Sequence, residues 1–201
     1  MSKIKLTKGE SKKQRDALAQ FSRYLPTLQL KKQQLQLKVR DIKLALADAR
    51  LRARALADDI ARWEGLLGER NIDLRPYILP RRIVTDQQNI AGTVIPVLLD
   101  VEFADADYDY YAMPVWVDRA VENLRAFMKV ECERVVLEEQ VRRLERELRT
   151  TSQRVNLFEK VKIPECQENI RIIRIYLGDQ QANSVGISKV AKGKLSLAEG
   201  R

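Results

Sequence analysis

The sequence contains no histidine and only two cysteines, Cys132 and Cys166. Histidine is the usual proton shuttle near neutral pH, and a structural zinc site needs about four Cys or His ligands. The Walker phosphate loop, the GxGxxG pattern and the GxSxG pattern are also missing, which removes the common nucleotide and nucleophile motifs. We therefore expect no metal, no cofactor and no catalytic residue, and we interpret both cysteines as core residues.

Long apolar runs are missing as well, since no uncharged stretch approaches the roughly 20 apolar residues of a membrane span. The first 15 residues are polar and basic, without the apolar core of a signal peptide. Aromatic residues make up only 6% of the chain, whereas charged residues make up 32%. This composition predicts a soluble protein of a reducing compartment, built largely from long solvated helices.

The net charge of +9 is unevenly distributed along the chain. Residues 1–54 carry +11, residues 55–120 carry −6 and residues 121–201 carry +4. A basic balance raises nucleic acid as a partner, but such surfaces usually interleave aromatic residues with the cations. The N-terminal region offers only Phe21 and Tyr24. The pattern favours solvated helix faces and an acidic protein partner, with a nucleic-acid-binding helical hairpin as the alternative.

A seven-residue repeat of apolar positions fills the first third of the chain. Steps of three and four alternate without interruption for seven heptads, which predicts a left-handed coiled coil. Lys32 is the only polar member and is interpreted as a register-setting residue, and Pro26 predicts a kink. The members are Leu18, Phe21, Leu25, Leu28, Lys32, Leu35, Val39, Ile42, Leu46, Ala49, Ala53, Leu56, Ile60, Trp63 and Leu67.

A second long helix is predicted from about Pro114 to a C-cap at Gly178, with one change of seam phase near residue 135. Its apolar positions are Val117, Val121, Leu124, Met128, Cys132, Val135, Leu137, Val141, Leu144, Leu148, Val155, Phe158, Ile163, Cys166, Ile170, Ile173 and Leu177. A lone helix would leave its seam exposed as a large apolar strip. Two long helices joined by one connector can cover each other, which predicts an intramolecular antiparallel coiled coil and a rod-like molecule. A parallel homodimer is the alternative.

The connector between the helices has a different character, with prolines and strand-like alternation. Residues 82–85 predict a short strand, residues 86–89 a turn, and the alternation of residues 97–103 a second strand. An acidic, tyrosine-rich run follows at 105–111. We expect a small β-hairpin at the turn of the helical hairpin.

The predicted fold class is therefore mainly α, a long antiparallel two-helix coiled coil with a small β-hairpin connector. The predicted division is an N-terminal helix at 1–68, the connector at 69–115, a C-terminal helix at 116–178 and a tip or tail at 179–201. The tail is interpreted as either a frayed end or a helix end that needs a partner.

Several passages resemble the D subunit of the V/A-type rotary ATPases. The most specific is Arg154-Val155-Asn156-Leu157-Phe158-Glu159, which continues to Ile163-Pro164 and to residues 169–179. The similarity to that family extends to residues 3–18 and 28–35, to the connector from Ile90-Ala91-Gly92 through Pro96-Val97-Leu98-Leu99, and to Pro114-x-Trp116-Val117-Asp118. The resemblance covers almost the whole chain in order.

The resemblance implies a central-stalk rotor shaft without catalytic residues, at the cytoplasmic face of the membrane as part of the complex. Both termini would rise into the hexamer of catalytic A and non-catalytic B subunits. The connector end would descend toward a socket protein of the membrane rotor ring, with the small F subunit of the stalk alongside. ATP hydrolysis or synthesis would thereby be coupled to ion transport. A generic coiled-coil adaptor and the basic nucleic-acid-binding hairpin stay open as alternatives.

Two groups of residues are candidates for contacts in such a complex. Basic side chains on the helices would form a band facing acidic patches of the hexamer, unless they belong to ordinary solvated faces: Lys31, Lys32, Arg171 and Arg174. Apolar side chains of the tail would form a low-friction tip in the upper bearing: Val185, Ile187 and Val190.

Overall fold

The computed structural model describes residues 4–68, 72–105 and 113–199. Within these ranges the α-helices are α1 (Lys8–Ala61), α2 (Arg75–Ile78), α3 (Trp116–Leu157) and α4 (Ile163–Glu199). A 3-10 turn follows α1 at Glu64–Gly68, and a π-helical turn at Phe158–Lys162 joins α3 to α4. The strands are β1 (Pro80–Ile90) and β2 (Thr93–Phe103). The predicted class, mainly α with one β-hairpin, is confirmed.

The chain folds into two compact units. The terminal unit combines the residues up to Leu30 with those from Thr151 onward, and the central unit comprises Lys31–Thr150. Helix α1 contributes its first part to the terminal unit and the rest to the central unit. It continues through Pro26, and its first turn is capped by Thr7, whose Oγ1 accepts a hydrogen bond from the Glu10 amide at 3.2 Å.

In the central unit α1 and α3 run antiparallel and share an apolar seam. Ion pairs join α1 to progressively earlier residues of α3: Lys31 to Glu147, Lys43 to Glu145, Arg50 to Glu138 and Arg52 to Glu133. Six successive seam positions predicted from the heptads are buried: Leu35, Val39, Ile42, Leu46, Ala49 and Ala53. The antiparallel coiled coil is thus confirmed in this unit.

The β-hairpin packs against this coiled coil as a third layer. Ile95 of β2 is buried against the seam residues Leu35 and Leu144. The Gln140 side-chain amide donates to the Pro96 carbonyl at 2.6 Å and fastens the strand to α3. Packing of this kind is needed because an isolated two-stranded hairpin is only marginally stable in water.

The predicted turn at residues 86–89 is wrong, since β1 continues through it to Ile90. The chain instead reverses at Ala91 and Gly92, which both have positive φ, the requirement of a type I′ hairpin turn. Asn89 supports the reversal, because its Oδ1 accepts the Gly92 amide at 2.9 Å. The polar residues before the turn belong to an exposed strand rather than to a loop.

In the terminal unit the start of α1 lies against α4 and the π-helical turn in the antiparallel sense. The rings of Phe21 and Phe158 have centroids 5.0 Å apart, and the Asn169 amide donates to the Gln14 side chain at 3.4 Å. Steps of three and four from Val155 would bring the seam to positions 162, 165, 169 and 172. The buried apolar positions lie one residue later, at Cys166, Ile170 and Ile173. The π-helical turn holds the additional residue that causes this change of phase.

Two further predictions for the second half of the chain are wrong. Gly178 does not end a helix, because α4 continues through it to Glu199. Val135 is more than half exposed rather than part of the seam, because the phase change predicted near this position places Leu137 and Val141 against the core in its stead. The acidic run at 106–111 lies outside the described residues.

Candidate interaction surfaces

Lys31 is held by the central unit itself. Its Nζ lies 2.6 Å from Oε1 of Glu147, and both side chains are 30% exposed. The hairpin turn lies close by, since a Cβ built on Gly92 would come 3.9 Å from the same Nζ. A half-buried pair of this kind orients the lysine, so its ammonium faces the junction of α1, α3 and the hairpin.

Lys32 occupies a seam position of α1 and is half buried. Among the residues that the structure describes it forms no ion pair. Its four-carbon stem can cover apolar surface while its ammonium reaches water. Of the two neighbouring lysines, Lys32 is therefore the one whose positive charge is available to a partner.

Arg171 and Arg174 lie on the exposed side of α4 in the terminal unit. The guanidinium of Arg171 contacts Glu168 at 2.7 Å. This hydrogen bond lowers the pKa of Glu168 and raises the pKa of Arg171 from their ordinary values. The pair is solvent-exposed and stabilises the helix only slightly. Arg174 has no ion pair in the described part of the chain, so it is the stronger candidate for a partner contact.

The tail of α4 is helical but exposed on every side. Each residue from 178 to 194 is exposed, including Val185, Ile187 and Val190. Helix stability in proteins comes mostly from packing of an apolar face, and here the apolar side chains pack against nothing in the described chain. The tail is thus helical to Glu199, and its interpretation as a helix end that binds a partner stays a prediction.

An open groove lies at the connector end of the central unit, and sequence reasoning missed it. It has a volume of about 790 Å³ and is bordered by Trp63, Trp116 and Val115. Val115 is 96% exposed, although both tryptophans pack against a buried cluster around Leu74 and Val117. The signal available in the sequence was the pair of tryptophans at the two helix ends that meet here.

Arg125 of α3 holds the connector in place. Its Nε donates to the Tyr77 carbonyl at 2.7 Å, and its Nη2 donates to the Ala104 carbonyl at 2.6 Å. The guanidinium also lies 5.4 Å from the centroid of the Phe103 ring, within cation–π range. One half-buried side chain therefore fixes both the entry and the exit of the hairpin.

Metal-binding clusters, membrane-spanning helices and reactive thiols are the remaining candidates among the described residues. Within residues 4–68, 72–105 and 113–199, no group of three or more His, Cys, Asp or Glu side chains is placed to hold a metal ion. In the same ranges, none of the helices combines the length and apolar character needed to cross a membrane. Burial raises the pKa of both thiols, Cys132 and Cys166, which disfavours the reactive thiolate.

Comparison with known proteins finds similar sequences along almost the whole chain. The sequence profile of the ATP synthase D subunit matches residues 10–193. The D subunit of the V-type ATP synthase of Borreliella burgdorferi is 44% identical over 195 residues, which cover 97% of this chain and 96% of that protein. The corresponding D subunits of the V-type ATP synthases of Chlamydia caviae and Chlamydia muridarum are 34% and 33% identical. Each match covers 96% of this chain, together with 94% and 97% of those proteins.

Proposed function

The chain belongs to the family of ATP synthase D subunits, and from this premise we propose that it serves as the central-stalk shaft of a V-type ATP synthase. In this role it turns inside the catalytic hexamer and couples ATP hydrolysis or synthesis to rotation of the membrane ion-translocating ring. It contributes no active site, since catalysis belongs to the A subunits. It is peripheral, on the cytoplasmic face of the membrane, and is held there by the complex.

The observation that carries this proposal is the exposed tail of α4. All side chains of this helix are exposed from residue 178 to residue 194, so we expect other proteins to surround it and cover its apolar residues. The A and B subunits surround the tail in this way when it lies in the upper bearing of the hexamer. Val185, Ile187 and Val190 then form apolar contacts that do not lock a rotating surface, because they lack directional hydrogen bonds.

The basic side chains also serve contacts with the catalytic hexamer. Lys32, Arg171 and Arg174 face acidic patches of the hexamer, while Lys31 is oriented by Glu147. Exposed charge pairs are individually worth about 0–1 kcal/mol. A band of such pairs therefore guides the shaft without holding it at one angle.

The partners on the membrane side bind the connector end of the central unit. The groove at Trp63, Trp116 and Val115 offers apolar surface to the socket protein of the rotor ring. The small F subunit binds alongside the shaft. The Arg125 contacts support this arrangement, since they give the connector a fixed geometry through which torque can pass.

The coiled coil suits torque transmission. Its backbone hydrogen bonds are internal to each helix, and its seam is continuous and close-packed, so bending or twisting must break many contacts together. A shaft without rotational symmetry favours a different conformation at each of the three catalytic interfaces. Rotation and the state of hydrolysis are coupled in this way.

The proposal is tested by reversible crosslinking in the purified complex. The variant carries Ile187→Cys with Cys132→Ala and Cys166→Ala, and it is assembled with A or B subunits that carry one introduced cysteine facing the tail, so that oxidation joins the two thiols in an intersubunit disulfide. The matched control has the same A or B subunits but carries only the two alanine changes in this chain. Recovery of the A and B subunits with the tagged chain, and loss of ATPase activity on oxidation that reduction restores, are the expected results. Unchanged ATPase activity in a fully crosslinked complex would contradict a turning shaft. Recovery of nucleic acid that leaves at high salt, without A and B, would favour the basic hairpin alternative.

A further inference from the structure

The two outer edges of the β-hairpin differ in what lies beside them. Along β2, the Arg143 side chain donates to the Val94 carbonyl at 3.3 Å, and the Gln140 side chain donates to the Pro96 carbonyl at 2.6 Å. Both donors belong to α3, so helix side chains occupy the place of a third strand. Along β1, no other element of the described chain supplies such a donor or acceptor. We name the outer edge of β1 the free edge.

The register of the hairpin shows which backbone groups lie on the free edge. In an antiparallel pair, residues that exchange hydrogen bonds alternate with residues whose N–H and C=O point to the outer edges. Val94 and Pro96 point outward, because their carbonyls accept from α3 and a proline has no N–H to give to the ladder. The residues opposite them are Asn89 and Gln87. The N–H and C=O groups of Gln87 and Asn89 therefore lie on the free edge, together with those of Thr85.

The free edge is open to solvent. Every residue from 85 to 89 is exposed, although Asp86 and Gln88 lie on the same face of the sheet as Ile95, which is 1% exposed. This part of β1 thus extends beyond the coiled coil. The Gln87 amide donates only to the neighbouring Asp86 carboxylate, at 2.7 Å, a local contact that a partner strand would replace.

The free edge lacks most of the features that prevent strands from pairing. Natural proteins block exposed edges with lysine, with proline, with a bulge or by keeping the strand short. Strand β1 is 11 residues long and contains no lysine, and its one proline, Pro80, is its first residue. The bulge lies between Val84 and Thr85, which leaves residues 85–90 as a regular strand. This stretch is therefore able to accept a further strand.

The charged residues of β1 define the chemistry of the partner. Asp86 lies within the regular stretch, and Arg81 and Arg82 precede it. None of these three forms an ion pair with another side chain among the described residues. Opposite charges across two strands stabilise the pair, and like charges destabilise it. A second copy of residues 85–90 contains no cation for Asp86, so a different segment with charges of the opposite order fits better.

We propose that the free edge binds an extended segment of a partner protein, which pairs with Thr85, Gln87 and Asn89 as a third strand of the sheet. The segment carries Lys or Arg opposite Asp86 and Asp or Glu beside Arg82. In this binding mode the main-chain hydrogen bonds supply affinity, and side chains at alternate positions supply specificity. The inference rests on the proposed function in placing the partner within the ATP synthase complex.

The first test is residue-resolved amide hydrogen exchange, measured on the full chain alone and on the purified complex. We expect exchange at Thr85, Gln87 and Asn89 to slow at least about tenfold in the complex, because these amides gain acceptors. Asp86 and Gln88 are the internal control, since their amides face β2 in both samples. Unchanged exchange at the three outward amides would overturn the proposal. An equal slowing of all five amides, which burial without strand pairing would cause, would also overturn it.

A pair of variants tests the backbone contact itself. Gln87→Pro removes one outward N–H, and the residue opposite it is already Pro96, so the ladder to β2 keeps its hydrogen bonds. Gln87→Ala is the matched control, because it loses the same side chain and keeps the N–H. Both variants carry a photo-crosslinking phenylalanine analogue at position 88, and a further control carries it at Val94 on the covered edge.

In the purified complex, we expect position 88 of the alanine variant to crosslink to one extended segment with the stated charges. The proline variant should lower that yield at least about tenfold, and position 94 should not reach the segment. Equal yields in the two variants, or crosslinks to a helix or to a second copy of this chain, would overturn the proposal. Asp86→Lys keeps every backbone group and should also lower the yield, so it tests the same contact if the proline variant opens the hairpin; an unchanged yield would overturn the assigned charge.

The outcomes separate this inference from the proposed function. Recovery of the A and B subunits without the alternating protection at residues 85–89 would refute the free edge as a binding site and leave the shaft intact. Alternating protection in a complex that lacks A and B would refute the shaft and retain the binding site.

Discussion

Leu144 is the side chain on which the three layers of the central unit converge. It is fully buried and lies in one cluster with Leu35, Val39 and Ile42 of α1 and with Ile95 of the hairpin. In Leu144→Ala, elements on three sides would have to move together to close the cavity, so little relaxation is expected. Leucine-to-alanine changes in cores cost about 2–5 kcal/mol, and we expect about 3 kcal/mol here.

The assay is urea unfolding followed by circular dichroism. With a urea dependence of about 1.5 kcal/mol per molar, the midpoint of the central unit should fall by about 2 M. Leu44→Ala is the matched control, because Leu44 is 63% exposed on α1 and its truncation should cost within about 0.5 kcal/mol. A fall of less than about 0.5 M for Leu144→Ala, or an equal fall for both variants, would refute the packing account.

Three further predictions concern the connector and the ion pairs. Arg125→Met should speed amide exchange at both ends of the hairpin and cost about 1–3 kcal/mol, because two backbone carbonyls lose their donor; unchanged exchange would contradict the clamp. Gly92→Ala should destabilise the central unit in urea by about 1–2 kcal/mol, because Gly92 has φ +83° and a side chain there is strained even where space is open; a neutral effect would contradict this. Hydrogen bonds from Arg50, the larger contributor, and from Arg134 lower the pKa of Glu138 from its ordinary 4.5. The stability that these ion pairs provide is therefore present above pH 4.5 and is lost as the pH falls below it. Glu138→Gln should therefore lose less helicity than the wild type on acidification below pH 4.5, and an identical acid profile would contradict the pairing.

The seam was predictable because its physical cause is local and repeated. Each heptad repeats the same requirement for burial, so single exceptions such as Lys32 and Pro26 do not change the result. Every predicted position from Leu18 to Trp63 is buried or half buried. The seam positions Cys166, Ile170 and Ile173 were predicted and are buried. The π-helical turn before them was not predicted, because an apolar pattern gives the phase of a helix face and not the backbone geometry that produces it.

The hairpin was predictable in type but not in register or position. Polar residues before Asn89 carry the composition of a turn, yet they line an exposed strand, while the turn residues Ala91 and Gly92 carry a weaker signal. Propensity does not distinguish a solvated strand from a loop. Packing of Ile95 on the coiled coil depends on contacts between residues far apart in sequence, which local patterns do not encode.

Among the candidate contact residues, the structure separates those with internal partners from those without. Lys31 and Lys32 are adjacent and were predicted to act together. Of these two, only Lys31 has an ion-pair partner among the described residues, Glu147. Arg125 could not be identified, since its acceptors are backbone carbonyls that no sequence pattern marks.

The most direct test of the central claim is single-molecule observation of rotation. The catalytic hexamer is fixed to a surface, and a bead is attached to this chain through a cysteine at Val115, which is exposed at the connector end of the central unit. We expect ATP to drive one-directional rotation of the bead with three pauses per turn, one for each catalytic interface. ATP hydrolysis by the assembled complex without rotation of the bead would contradict it.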